Sequence, residues 1–222
     1  MNFNLRHVTY SEQGVKRKFN QDSFLIIEKL NFSLYIIFDG VSSNALSLTF
    51  IEEYKKLIKI ASENHPCFKD SISKLFYDIN NRLIENNIEG MSTISALLFD
   101  KIKGGIKYLN IGDSRIYTFT NQFIEKITID DSLNKSSNIL TKCLGSKVLV
   151  LEDFDLHNLD EAQNYLMCTD GFYRMMETNL KEYFEILNFK NFSNIRNGLK
   201  KLQKSKNNDD STIIIVRNEI PN

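Results

Sequence analysis

The chain has 222 residues, 42% hydrophobic and 25% charged, with Lys+Arg and Asp+Glu equal at 28 each. That is the make-up of a globular protein large enough to bury a full core, and its charge balance leaves no basic footprint for nucleic acid or an anionic membrane. No apolar run approaches the roughly 18 residues of a membrane span, and the opening MNFNLRHVTY lacks the apolar centre of a signal peptide.

In chain order, FNLRHVTY, SFLIIEK and SLYIIFD read as strands, the last a fully apolar run. From Asn44 the pattern changes to a helix. Leu46, Phe50, Tyr54, Leu57 and Ile58 recur at helical spacing, with Glu52, Glu53, Lys55 and Lys56 on the other face. A second helix is predicted over about 67–88, carried by Phe68, Ile72, Leu75, Phe76, Ile79 and Leu83. Strands return at STISALLFD, GIKYLNIGD, SRIYTFT and QFIEKITI, with Gly104-Gly105 as the hairpin turn between the first two. NYLMCTDG reads as a strand, 179–204 as mostly helix and STIIIVR as a last strand. Strands clustered at both ends around a helical pair predict an α+β fold, with sheets packed together and helices outside. No repeat, low-complexity tract or linker divides the chain, and a single domain over 1–222 is expected. Cys67, Cys143 and Cys168 are odd in number and widely spaced, which fits neither a disulfide framework nor a zinc knuckle and points to a reducing, cytoplasmic setting.

Aspartates mark the ends of five predicted strands. Asp22 precedes SFLII, Asp39 ends LYIIF, Asp113 follows YLNI after one glycine, Asp170 follows YLMCT, and Asp209-Asp210 precede STIII. Any one of these is explained as a turn residue. Gathered at one edge of a sandwich, they would repel one another unless a cation sat among them. Carboxylates and carbonyls without His or Cys suit hard ions such as Mg²⁺ or Mn²⁺.

The order of motifs is specific. RKFNQDS (17–23), FDGVSS (38–43), MSTISALL (91–98), LNIGDSRIY (109–117), LTKCLGS (140–146), LMCTDGF (166–172) and NNDDSTIIIV (207–216) together resemble the metal-dependent Ser/Thr protein phosphatases of type 2C, over nearly the whole chain. The resemblance implies a four-layer α-β-β-α sandwich, two antiparallel sheets flanked by helices. It implies hydrolysis of phosphoserine and phosphothreonine in proteins by a hydroxide bridged between two Mg²⁺ or Mn²⁺ ions. Asp39 matches the bridging carboxylate, and Gly40 the glycine whose carbonyl binds one ion. Asp170 and Asp209 match the remaining carboxylates. Asp113 matches an acid that, with Asp170, can hold a third, weaker ion. Asp22 matches an acid near a metal-bound water, and Arg17 lies where the family places its phosphate-binding arginine, whose planar fork Lys would copy poorly. A phosphorylated protein is the implied substrate, a Ser/Thr kinase the enzyme opposed, and a monomer is expected.

Several residues carry blander readings. His7, His65 and His157 lie outside the matching motifs and read as structural or surface groups. The cysteines read as small apolar residues, and Thr93 as strand packing. Ser114 reads as a turn residue, and Arg115 as either structural or substrate-adjacent. DFDLHNLDE (153–161) fails as a calcium loop at its Gly and Glu positions. KKLQKSK (200–206) is a solvated helix end. The chain also departs from the family pattern. Ser42 and Ser43 stand where two glycines are common, Asp130-Asp131-Ser132 replaces Asp-His-Ser, and the flap normally found after it is shortened near 132–138. The rival to an active phosphatase is a pseudophosphatase that binds phosphoproteins or acts as a regulatory module.

Overall fold

The computed structural model describes residues 3–41, 46–64, 68–133 and 139–219. Strand β3 (Phe32–Phe38) shows why the architecture has four layers. Every one of its residues is buried, so both faces must be covered. Successive side chains point to opposite faces. Phe32, Leu34, Ile36 and Phe38 therefore join one apolar cluster with Phe50, Tyr54, Ile58, Phe76 and Leu83. Tyr35 and Ile37 point the other way and meet Tyr165, Met167, Ile214 and Val216. Along β10 (Ser211–Asn218) the same alternation sends Ile213 and Ile215 into a third cluster with Phe172, Met176, Tyr183, Leu187, Ile195 and Leu199. Each such side chain stabilises by about 1.5–3 kcal/mol when fully buried.

Two five-stranded antiparallel sheets result. One runs in the order β2 (Ser23–Glu28), β3, β4 (Ile94–Asp100), β5 (Ile106–Ile111), β8 (His157–Leu159). The other runs β1 (Leu5–Glu12), β10, β9 (Asn164–Cys168), β6 (Arg115–Phe119), β7 (Ile124–Lys126). Helices α1 (Ser47–Asn64) and α2 (Ile72–Glu85) cover the first sheet. Helices α3 (Asp170–Thr178), α4 (Leu180–Leu187) and α5 (Phe192–Gln203) cover the second. This is the α-β-β-α sandwich that the resemblance implied. Among the described residues no helix is long and apolar enough to cross a membrane.

Differences from expectation have local causes. Leu46 precedes α1 and is exposed, whereas Phe50, Tyr54 and Ile58 form the buried stripe. The second helix starts at Ile72 rather than near 67. Phe68 sits in a short 3-10 turn and stacks on Phe32 with ring centroids 5.3 Å apart. At its other end, Asn87 takes a left-handed φ of 56° while Ile88 N–H donates to Leu83 O, a Schellman stop. The β4–β5 hairpin does use the two glycines, with Gly104 at a left-handed φ of 66° and Gly105 O accepting from Asp100 N–H at 3.0 Å, but its turn begins at Lys101, where Asp100 accepts from the N–H groups of Ile102 and Lys103 at 3.0 Å each. Strand β8 and helix α3 were not foreseen. Asp170-Gly171 reads as a turn, but here it opens a helix.

Candidate metal centre

Strand pairing brings the acids to one edge. Ser23 of β2 pairs with Phe38 of β3, so Asp22 and Asp39 leave the first sheet side by side. In the second sheet Cys168 of β9 pairs with Ile213 of β10, which puts Asp170 and Asp209 at one end of that pair. Asp113 lies on the crossover from β5 in one sheet to β6 in the other. Between them opens a cleft of about 340 Å³, lined by Arg17, Asp39, Gly40, Val41, Met91, Thr93, Asp113, Ile139, Leu140, Cys143, Asp170 and Asp209. Every sequence-predicted site residue except Asp22 lines it. Asp22 is buried behind the wall, where its carboxylate accepts from Thr169 Oγ1 at 2.8 Å.

The turn bearing Asp39 is held by its backbone. Asp39 N–H donates to Thr93 Oγ1 (3.1 Å), and its carbonyl accepts from Thr93 N–H (2.9 Å) and Ser92 Oγ (3.0 Å). Thr93 Oγ1 lies 2.8 Å from Ser114 Oγ, which ties the Asp39 turn to the Asp113 turn. Thr93, just before β4, is thus a positioning group rather than strand filler. Gly40 must be glycine, because a Cβ there would lie 2.8 Å from Gln21 O and 2.9 Å from Gln21 Cβ. The Asp209-Asp210 pair divides its work. Asp209 faces the cleft and receives Arg17 Nε at 2.7 Å. Asp210 is buried and accepts from the N–H groups of Gly14 (3.0 Å) and Gln21 (2.9 Å), holding the loop that carries Arg17. Gly171 lets α3 dock on that turn, since a Cβ would meet Asp210 O at 2.0 Å.

Arg115 is structural. It is buried, grips Asp130 through Nε (3.1 Å) and a second nitrogen (2.7 Å), reaches Tyr117 Oη and Glu177, and lies over the Tyr173 ring at 3.5 Å. His7 sits beside Glu28 and His157 against Tyr108, both outside the cleft lining, while His65 and Cys67 lie outside the described residues. The Ser42-Ser43 replacement lies outside them too. Of the shortened flap, Leu133 N–H donates to Ile139 O at 3.1 Å, and 134–138 lie outside the described residues.

Burial and mutual repulsion set the electrostatics. Burial raises the Asp39 carboxyl well above its ordinary range, and Asp22, Asp170, Asp113 and Asp209 add to the rise. Burial likewise raises Asp22, opposed by the Thr169 hydrogen bond, and raises Asp170, opposed by Arg174. Asp113 is pushed up to about 6 by burial and then by Asp170. Among the described residues no three His, Cys, Asp or Glu side chains stand close enough together to hold an ion as placed. The donor chemistry nevertheless fits hard divalent cations. The ring presents carboxylate oxygens and the Gly40 turn, its negative charge is under-compensated, and the one thiol, Cys143, is kept protonated by burial.

The Asp113 shift gives a test on metal-free protein. Its folded pKa is raised, so the stability tied to the neutral form is present below its ordinary 3.8 and is lost as pH rises through about 6. Asn carries no such charge. With a chelator present, Asp113→Asn should match the wild type below pH 4 and exceed it by up to about 3 kcal/mol above pH 7. Urea unfolding across that range checks this. Equal stability of the two proteins at pH 8 would place Asp113 in a well-solvated or neutralised setting.

No family model matches the chain, and no curated protein matches it. Solved structures do. The PPM Ser/Thr phosphatase MsPP from Mycobacterium smegmatis, in complex with cacodylate, aligns with a TM-score of 0.80 at 18% identity, covering 99% of this chain and 100% of that one. Serine/threonine phosphatase Stp1 from Staphylococcus aureus aligns with a TM-score of 0.75 at 20% identity, over 99% and 97%. The catalytic domain of the serine/threonine protein phosphatase PstP, in complex with two manganese ions, gives 0.73 at 18% identity, over 96% and 97%. Coverage is near complete on both sides while identity is low, so the likeness lies in the path of the backbone: this chain has the fold of the PPM, or type 2C, Ser/Thr phosphatases.

Proposed function

We propose that this protein is a metal-dependent protein phosphatase acting on phosphoserine and phosphothreonine. The observation that carries the reading is the ring of Asp39, Asp113, Asp170 and Asp209 around one cleft, with Arg17 in its wall, at the edge where the two sheets meet. Asp39, the Gly40 carbonyl, Asp170 and Asp209 would hold two Mg²⁺ or Mn²⁺ ions. Such ions, when bound, supply the Lewis acidity that activates water and the positive charge that offsets phosphoryl oxygens.

The chain's own residues do the rest. Arg17, whose guanidinium rests on Asp209 through Nε and one terminal nitrogen, would turn its planar fork of donors to two phosphoryl oxygens. Thr93 and Ser114 keep the Asp39 and Asp113 turns in register, so the carboxylates need little reorganisation when substrate arrives. Asp22, buried and hydrogen-bonded to Thr169, steadies the rear of the site. Val41, Met91, Ile139 and Leu140 supply apolar walls beside the acids. The substrate is then a phosphorylated protein, which sets this chain against a Ser/Thr kinase. A non-catalytic binding module has no physical need for several repelling acids in one cleft.

Mn²⁺- or Mg²⁺-dependent phosphate release from a phosphopeptide panel, abolished by chelation, is the expected result. Folded protein that releases no phosphate across a full metal titration would overturn the reading. Within the same assay, Arg17→Ala should lower kcat/KM for a phosphopeptide and for a small phosphate ester alike. The loss should be roughly ten- to a hundredfold, the worth of one charge-assisted contact. A defect confined to one substrate type would remove Arg17 from the phosphoryl group.

A further inference from the structure

The lysine run 200–206 is not an isolated helix end. It leads from the last turn of α5 into the segment that carries Asp209, and the 13–18 loop is fastened onto that segment. Val15 N–H donates to Asn207 O at 2.9 Å, and Gly14 N–H to Asp210 Oδ1 at 3.0 Å. Gly14 has no room for a side chain there, since a Cβ would lie 2.4 Å from the Asp209 carbonyl carbon. Arg17 N–H closes the turn on Gly14 O at 3.0 Å, and its guanidinium rests on Asp209 in the cleft. Lys16 and Lys18 therefore flank the cleft arginine, and Lys204 and Lys206 come just before Asp209 on the segment to which their loop is fastened. All four are exposed, as are Lys200 and Lys201. No carboxylate lies between Glu12 and Asp22, or between Arg196 and Asp209. Among the described residues none of these lysines forms an ion pair, whereas Lys55, Lys56 and Lys74 on α1 and α2 pair with Glu52, Glu53 and Asp78 at 2.7, 3.0 and 3.0 Å. The balanced net charge thus conceals a one-sided basic rim, continuous with the wall that holds Arg17.

We propose that this rim binds acidic side chains next to the phosphorylated residue, so that the preferred substrates are phosphoproteins with Asp or Glu flanking the phosphoserine or phosphothreonine. This rests on the function proposed above. Uncompensated lysines repel one another and gain from an anion that spans them. A phosphoryl group held at Arg17 would bring its neighbours along the peptide over the rim at high effective concentration. Ammonium groups are mobile point charges, which suits carboxylates scattered along a chain better than one fixed fork would. The Met91, Ile139 and Leu140 wall is apolar and offers carboxylates no counter-charge. A rim that borders a cleft also fits a peptide better than it fits a flat lipid surface.

Two phosphopeptides with the same phosphoserine, one flanked by Asp and Glu and one by Ala, test this, beside p-nitrophenyl phosphate as a substrate with no flank. At low salt the wild type should favour the acidic peptide roughly tenfold in kcat/KM, the worth of two or three exposed charge pairs. Salt at about 0.5 M should erase the preference. The combined variant Lys16→Ala, Lys18→Ala, Lys204→Ala, Lys206→Ala should erase it too, while turning over the small ester as the wild type does. No preference in the wild type, or a preference that survives in the variant, would overturn the inference and leave the proposed activity standing. Binding gives a readout without turnover. A fluorescent acidic peptide lacking phosphate should bind the wild type more tightly than the variant in an anisotropy titration at low salt with Mg²⁺ present. Equal binding would overturn the inference. Should the protein release no phosphate from any substrate, the activity reading would fail and this binding comparison would still decide the rim. Wild-type protein that sediments with phosphatidylserine vesicles yet ignores the peptide would overturn the inference in favour of a lipid-binding face.

Discussion

Asp39→Asn is expected to lower metal-dependent hydrolysis on the order of 10³-fold while making the metal-free protein more stable. The two effects share one cause. Asp39 sits at the centre of the acid ring, and its carboxyl is raised by burial and then by Asp22, Asp170, Asp113 and Asp209. In the absence of ions, stability tied to its neutral form is present below its ordinary 3.8 and is lost as pH rises through the raised folded value. Asn stays neutral at every pH. The contacts that shape this turn use the Asp39 backbone rather than its side chain, so they survive the substitution. A kinetic assay with Mn²⁺ and a melting curve with chelator, both at pH 7.5, measure the pair of effects. Near-normal turnover by the purified variant would sink the metal-centre assignment. A lower melting temperature without metal would show that the ring carries less repulsion than its burial implies.

Arg115→Ala is expected to cost the fold about 3–5 kcal/mol. The guanidinium joins groups distant in sequence: Asp130 held by two nitrogens, Tyr117 Oη, Glu177, and the face of Tyr173. Among the described residues, truncation leaves Asp130, a largely buried carboxylate, with the half-exposed Lys126 at 3.2 Å as its remaining charge partner. It also leaves a void beneath α3. Glu177 is half-exposed and adds little. For a chain of this size the loss corresponds to a fall in melting temperature of about 6–20 °C. Equilibrium urea unfolding reports it directly. A loss below 1 kcal/mol would show that water or a neighbouring side chain replaces the guanidinium without difficulty. Arg115→Lys should recover part of the stability, since it restores charge but not the fork.

The local pattern of residues was enough to place β3 between two layers, because an apolar run of that length has no face left for water. It placed Phe50, Tyr54 and Ile58 on one helical stripe for the same reason of periodicity. It also put Asp22, Asp39, Asp113, Asp170 and Asp209 at strand ends, and the order of motifs around them carried the resemblance to a type 2C phosphatase. These features depend on neighbours a few residues away, and the chain writes them locally.

What only the tertiary structure decided depends on partners far apart in sequence. Asp209 and Asp210 are chemically alike and adjacent, and which one faces the cleft follows from where the 14–21 loop docks on β10. Thr93 meets Ser114 only because the turn after β5 lies across the end of β4. Asp170-Gly171 opens a helix rather than a turn because the glycine fits against the backbone of Asp210, which no window along the chain contains. Burial and strand alternation are short-range consequences of side-chain chemistry. The meeting of two sheet edges, and the choice of which charges face each other there, is settled by packing across the whole core.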